Sequence, residues 1–137
     1  KPNDTTKDQT IILRSPTNKP KITIKADYAT KKYGENIFEM AILNFVDENY
    51  KGIIVSLTET LQKRDKSKIP KIVSDLKSLS TFLCLNELDK EIRKLEMMNS
   101  REIVWSELAS FSTILYGYLD SLYEEAKKLY PEYVKKL

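Results

Sequence analysis

The sequence predicts an all-α fold, an antiparallel up-down four-helix bundle behind an extended, basic N-terminal arm. Three observations predict it. Only three glycines occur in 137 residues, beside 31% charged and 41% apolar side chains, which is the composition of a helix-rich globular chain. From residue 35 onward apolar residues recur at spacings of three and four, the helical period. The connections between these segments are short, which favours antiparallel neighbours. The length suits one domain with a sizeable core, divided into an arm over residues 1–34 and a bundle over residues 35–137.

The arm carries eight basic residues (Lys1, Lys7, Arg14, Lys19, Lys21, Lys25, Lys31, Lys32) and three acidic ones (Asp4, Asp8, Asp27). It is therefore +5, and a net charge of +3 leaves −2 for the rest. Pro2, Pro16, Pro20 and a cluster of threonines make it a poor helix. Thr10-Ile11-Ile12-Leu13 and Ile22-Thr23-Ile24 are β-prone. The alternation Lys21, Ile22, Thr23, Ile24, Lys25 has the period of a half-exposed extended segment. It predicts an arm that lays Ile22 and Ile24 on the bundle; the other reading is a basic tether for an acidic surface. No aromatic precedes Tyr28, so the arm lacks the stacking groups common in nucleic-acid binders.

Gly34 marks the boundary to a first helix with Ile37, Met40, Ala41, Asn44 and Phe45 on one face. Gly52 opens the next segment, with Ile54, Leu57 and Leu61 inward. After the charged break Lys63-Arg64-Asp65-Lys66, Asp65 or Ser67 caps a third helix, and Pro70 falls in its first turn or just beyond it. Its buried stripe is Ile69, Ile72, Val73, Leu76, Ser80 and Leu83. The fourth stripe is Leu85, Leu88, Ile92 and Leu95, with Asn99-Ser100 ending that helix and capping the next. The last and longest helix buries Val104, Leu108, Phe111, Leu115, Tyr118, Leu122, Ala126 and Leu129, and Pro131 stops or kinks it near its end. Tyr116, Tyr118, Tyr123, Tyr130 and Tyr133 crowd this helix with Trp105 and Phe111, at spacings that make them core or core-edge residues.

The chain has no histidine, which removes the usual general base and the commonest metal ligand. No carboxylate pair, glycine-rich loop or metal-ligand spacing stands out. The expectation is no catalytic residue, no metal and no cofactor. The lone cysteine, Cys84, cannot form an internal disulfide, so a cytoplasmic or other reducing compartment is expected. No apolar run reaches the roughly 18 residues of a membrane span. The chain starts with lysine and lacks a signal-peptide core, so it is expected to be a fragment of a longer protein.

The third segment reads Ile69-Pro70-Lys71-Ile72-Val73-Ser74-Asp75-Leu76-Lys77-Ser78-Leu79-Ser80-Thr81-Phe82-Leu83. It resembles the signature of histidine-containing phosphotransfer (HPt) domains, which runs apolar-H-x-L-K-G-S-S-x-x-L-G. Without a gap, Leu76, Lys77, Ser80 and Leu83 fall on the family's leucine, lysine, second serine and later leucine. Ser74 falls on the phosphorylated histidine, while Ser78 and Cys84 replace glycines and Leu79 replaces the first serine. Upstream, Phe45 and the run Leu57, Leu61, Asp65 resemble family positions, as do Leu88, Ile92 and Leu95-Glu96 downstream. The resemblance covers about residues 35–129 and implies an HPt-like bundle.

In that family the imidazole takes a phosphoryl group from the aspartyl phosphate of a receiver domain. A serine hydroxyl is a weak nucleophile without a neighbouring base, and Pro70, Lys71, Lys77 and Ser78 supply none. The resemblance therefore implies a phosphotransfer-incompetent protein-binding module, with a receiver-like domain or another signalling or assembly protein as partner. Ser74, Lys77, Ser78 and Thr81 share one helix face at i, i+3, i+4 and i+7, readable as a docking strip or as an ordinary solvent face. Leu79 and Phe82 lie off the predicted core stripe and would extend a docking surface; alternatively they bury against the arm or the Leu85–Leu95 helix. The competing function is a structural bundle that interacts through the arm or the tyrosine-rich last helix. An enzyme with phosphorylated Ser74 is a third reading.

Overall fold

The computed structural model describes residues 13–132. Thr10, Ile11, Ile12 and Tyr133 therefore lie outside the described residues. An extended segment over residues 13–25 leads into five helices rather than a four-helix bundle, because the first two expected segments form one rod and a further helix precedes them, with no strand among the described residues. Helix α1 is Ala26–Tyr33, and α2 is one rod made of Glu35–Asn44, a π turn Phe45–Asn49 and Tyr50–Lys63. Helices α3 (Ile69–Leu83), α4 (Asn86–Asn99) and α5 (Trp105–Leu129) complete the bundle.

The arm expected over residues 1–34 is thus shorter than the sequence suggests. Helix α1 occupies its last quarter, because Ala26–Tyr33 holds neither proline nor glycine and can bury Ala29. Gly34 separates α1 from α2 with φ 94°, a left-handed conformation that glycine adopts without steric cost. Gly52 opens nothing; it lies inside the second half of the α2 rod.

The buried stripe at the start of α2 is also displaced from the expected one. Phe38, Ile42, Phe45 and Val46 face the core, while Ile37 and Met40 stay exposed. Both sets fit a helical repeat, and the larger Phe38 wins the inside position. The π turn then closes with the Tyr50 amide donating to the Phe45 carbonyl. This extra residue brings the Tyr50 ring against Phe45, with centroids 5.8 Å apart, and onto Tyr123, stacked at 4.5 Å.

Helices α3 and α4 follow the sequence closely, with every expected core residue buried. Asp65 caps a short 3₁₀ turn, Lys66–Lys68, by accepting from the Ser67 amide at 3.0 Å, and Pro70 sits in the first turn of α3. Helix α3 ends at Cys84, whose φ of 54° is left-handed, while the Leu85 amide donates to the Ser80 carbonyl at 2.9 Å, a Schellman-type closure. Asn99-Ser100 ends α4 but does not cap α5, which starts at Trp105 behind an extended Val104. In α5, Leu108, Phe111, Leu115, Leu122 and Ala126 are buried as expected, Val104 and Leu129 are exposed, and Leu119 joins the core.

The arm docks as its alternation predicts. Ile22 and Ile24 are buried while Lys21, Thr23 and Lys25 point outward. Ile22 enters a seam formed by Leu85 and Leu88 beside Tyr118, Leu119 and Leu122 of α5. Upstream, Pro16 and Pro20 cross the back of α5 at Gly117. A Cβ there would meet the Pro16 Cγ at 2.8 Å and the Pro20 Cδ at 3.3 Å.

These two helical glycines predict opposite outcomes for one substitution. Nothing lies within 4 Å of a Cβ added to Gly52, so Gly52→Ala should raise unfolding stability by about 1 kcal/mol. Gly117→Ala should lower it despite the same gain in helix propensity, because a proline ring in van der Waals contact must move. Urea unfolding of both variants checks the pair, and stabilisation by Gly117→Ala would remove the close-packed arm.

Candidate functional site

Helix α3 has two chemically distinct sides. Ser74, Lys77, Ser78 and Thr81 are all exposed and lie opposite the stripe of Ile69, Ile72, Leu76 and Leu83. The structure therefore brings these four residues together on one open face. Lys71 pairs with Asp75 at 3.3 Å, and Lys77 pairs with Glu96 of α4 at 2.8 Å. Both pairs are largely exposed and contribute at most about 1 kcal/mol each, but they hold the two lysines toward carboxylates. Among the described residues no base touches the exposed Ser74.

Leu79 does not belong to this face. It is 3% exposed, so the docking role considered for it is corrected to a core role. The reason is its phase: it follows Ile72 by seven residues and Leu76 by three, which puts it on the edge of the same stripe. Phe82 is the residue that reaches the surface, 36% exposed. Its ring meets Tyr33 of α1 edge to face, with centroids 5.4 Å apart. Helix α1 thus borders the C-terminal end of the strip.

Ser80 and Cys84 lie where the strip turns toward α4. The buried Ser80 hydroxyl is shared between the Leu85 carbonyl, at 3.0 Å, and the Asp89 carboxylate. The half-buried Cys84 thiol lies 3.7 Å from the Thr81 carbonyl. Tyr116, Tyr118, Tyr123 and Tyr130 are half-buried at the core edge, as their spacing suggests.

A second polar centre was not singled out from the sequence. Asp120 accepts from Ser15 at 2.8 Å and from Lys19 at 3.0 Å through one oxygen, and from the Tyr50 hydroxyl at 3.3 Å through the other. Ser121 donates to the Pro20 carbonyl at 2.6 Å. One carboxylate thus ties the arm, α2 and α5 together. Its sequence signal is an acidic residue amid the apolar run Leu115–Leu122, three residues after a helical glycine. Burial pushes the Asp120 carboxyl up, but hydrogen bonds from Lys19 and Ser15, the Lys19 charge and the Tyr50 bond outweigh it, leaving its pKa lowered. Burial and the facing Asp120 charge push the Tyr50 phenol well above its ordinary value.

No family model, curated protein or solved structure matches the chain. Among the described residues no group of three or more His, Cys, Asp or Glu could hold a metal ion, and no helix is long and apolar enough to cross a membrane.

Two outcomes follow for these centres. Leu79→Ala should cost about 2–5 kcal/mol in urea unfolding, the range for a buried leucine, whereas Phe82→Ala should cost less. Asp120 stabilises the fold above its unfolded pKa of about 3.9, because its folded pKa is the lower one. That contribution is lost as pH falls from there through the folded value. The urea midpoint of the wild type should therefore drop more steeply below about pH 4 than that of Asp120→Asn, and equal slopes would remove Asp120 as the arm's anchor.

Proposed function

We propose that the chain is a non-catalytic, HPt-like protein-binding module that docks a receiver-like domain through the exposed α3 face around Ser74, Lys77, Ser78, Thr81 and Phe82. The observation that carries this reading is the side-chain chemistry of that face. Four small or flexible polar residues lie on the open side of one helix, with a half-exposed aromatic at one end. A partner helix or loop can approach such a strip closely, and Phe82 supplies an apolar anchor of the kind that dominates interface energies.

The backbone adds support where the resemblance asks for glycine after the late leucine. Cys84 there has φ 54°, the region in which glycine is the favoured residue. The mechanism of such a module is occupancy: it scaffolds or competes, since Ser74 lacks a base to make it a phosphoryl acceptor. The alternative is a structural bundle acting through its basic arm or its tyrosine-rich last helix, and the arm's own contacts speak against the first of these routes. Ile22 and Ile24 are buried in the chain's own bundle, and Lys19 is paired with Asp120.

Two measurements test the proposal with receiver domains from the protein's own source. Ser74→Arg and Phe82→Asp should each weaken receiver binding about tenfold or more in titration calorimetry, while Lys128→Glu leaves it unchanged. Ser74→His should accept phosphate from a phosphorylated receiver when the wild type does not. Failure of every receiver to bind the wild type rejects this reading and leaves the structural one.

A further inference from the structure

The cleft between α1 and the corner joining α3 to α4 meets the docking strip only at Thr81. It encloses about 490 Å³, within the range of small-ligand pockets. Lys25, Tyr28 and Lys32 line it at i, i+3 and i+7, one side of a helix. Thr81, Asn86 and Asp89 line the opposite wall.

The two walls differ in chemistry. Neither Lys25 nor Lys32 has a carboxylate partner among the described residues. Lys32 extends over the Tyr33 ring, 5.5 Å from its centroid. Tyr28 lines the same cleft as these two lysines and is 57% exposed. The far wall offers a hydroxyl, an amide and a carboxylate that already accepts from the buried Ser80, so Asp89 is fixed in place. Such a site suits a ligand with a flat ring, a negative charge and hydroxyl groups. Rings stack on exposed aromatic faces, phosphates pair with lysines, and sugar hydroxyls bond amides and carboxylates.

We propose that this cleft binds a nucleoside phosphate, with the base against Tyr28, the phosphates held by Lys25 and Lys32, and the ribose facing Asn86 and Asp89. The proposal involves binding only, and it stands independently of receiver docking.

Titration calorimetry of the intact chain with ADP, GDP, CDP and UDP tests it, without divalent cations. The matching nucleoside and inorganic pyrophosphate serve as the separated halves. At least one diphosphate should bind with Kd below about 1 mM and at least about tenfold tighter than either half. The double variant Lys25→Glu/Lys32→Glu should lose about tenfold or more in diphosphate binding. Tyr28→Ala should weaken the diphosphate about fivefold or more while leaving pyrophosphate unaffected. Ser74→Arg should bind as the wild type does, which separates this proposal from the docking reading. Absence of binding by all four diphosphates overturns it, as does equally tight binding of pyrophosphate, which marks a plain anion site. Undiminished binding by the lysine variant places the ligand elsewhere. Tighter, steeply salt-dependent binding of single-stranded oligonucleotide also overturns it, in favour of a polyanion surface.

Discussion

Enclosure of the last helix on both its sides is the constraint from which much of the architecture follows. Helix α5 sends Leu108, Leu115, Leu119 and Leu122 into the core. Gly117 lies two residues from both Leu115 and Leu119, and a helix turns about 200° in two residues, so it occupies the opposite side. It is buried nonetheless, because the arm crosses there. A side chain at 117 would lift Pro16, and with it the Pro20 carbonyl that Ser121 holds and the Ser15 and Lys19 contacts with Asp120. The glycine, the two prolines and the carboxylate form one interlocked unit, which fixes the chain just upstream of Ile22 and its seam.

Helix α3 solves a different problem. Its apolar side is filled by aliphatic residues that leave no room for alternatives, and its other side carries side chains too short or too flexible to pack. Such a division separates stability from recognition, since substitutions on the open side leave the core contacts intact. Phe82 and Tyr33 join the two territories: their edge-to-face contact links α1 to the strip's end, and Tyr33 also lines the cleft beyond it.

Periodicity made α3 and α4 legible in the sequence, because each has a single apolar stripe and a clear polar remainder. It misled at the start of α2, where Ile37–Met40 and Phe38–Ile42, spaced by three and by four, both fit a helical repeat and only packing chooses between them. Leu79 was misassigned although its spacing from Ile72 and Leu76 already put it on the stripe. Helix α1 was hidden by its length, eight residues, too few to show a repeat in a stretch otherwise rich in lysine and threonine. Of the candidate site, the four polar strip residues and Phe82 could be read from spacing. The Asp120 centre could not, since its partners Ser15 and Lys19 lie 105 and 101 residues away in the chain, beyond the reach of any local pattern. A glycine in mid-helix was the visible trace of that long-range contact.

The arm's attachment also has a temporal side. Residues 15–20 hold to residues 117–121, which follow them by about 100 residues in the chain. Ribosomes add about 5–20 residues per second, so the arm spends several seconds with Ile22 and Ile24 in water before its site exists. The alternating lysines and the two prolines then act as more than a docking pattern. Charged and proline residues beside an apolar segment disfavour its pairing with other extended chains, a property that matters most before the final fold can bury that segment.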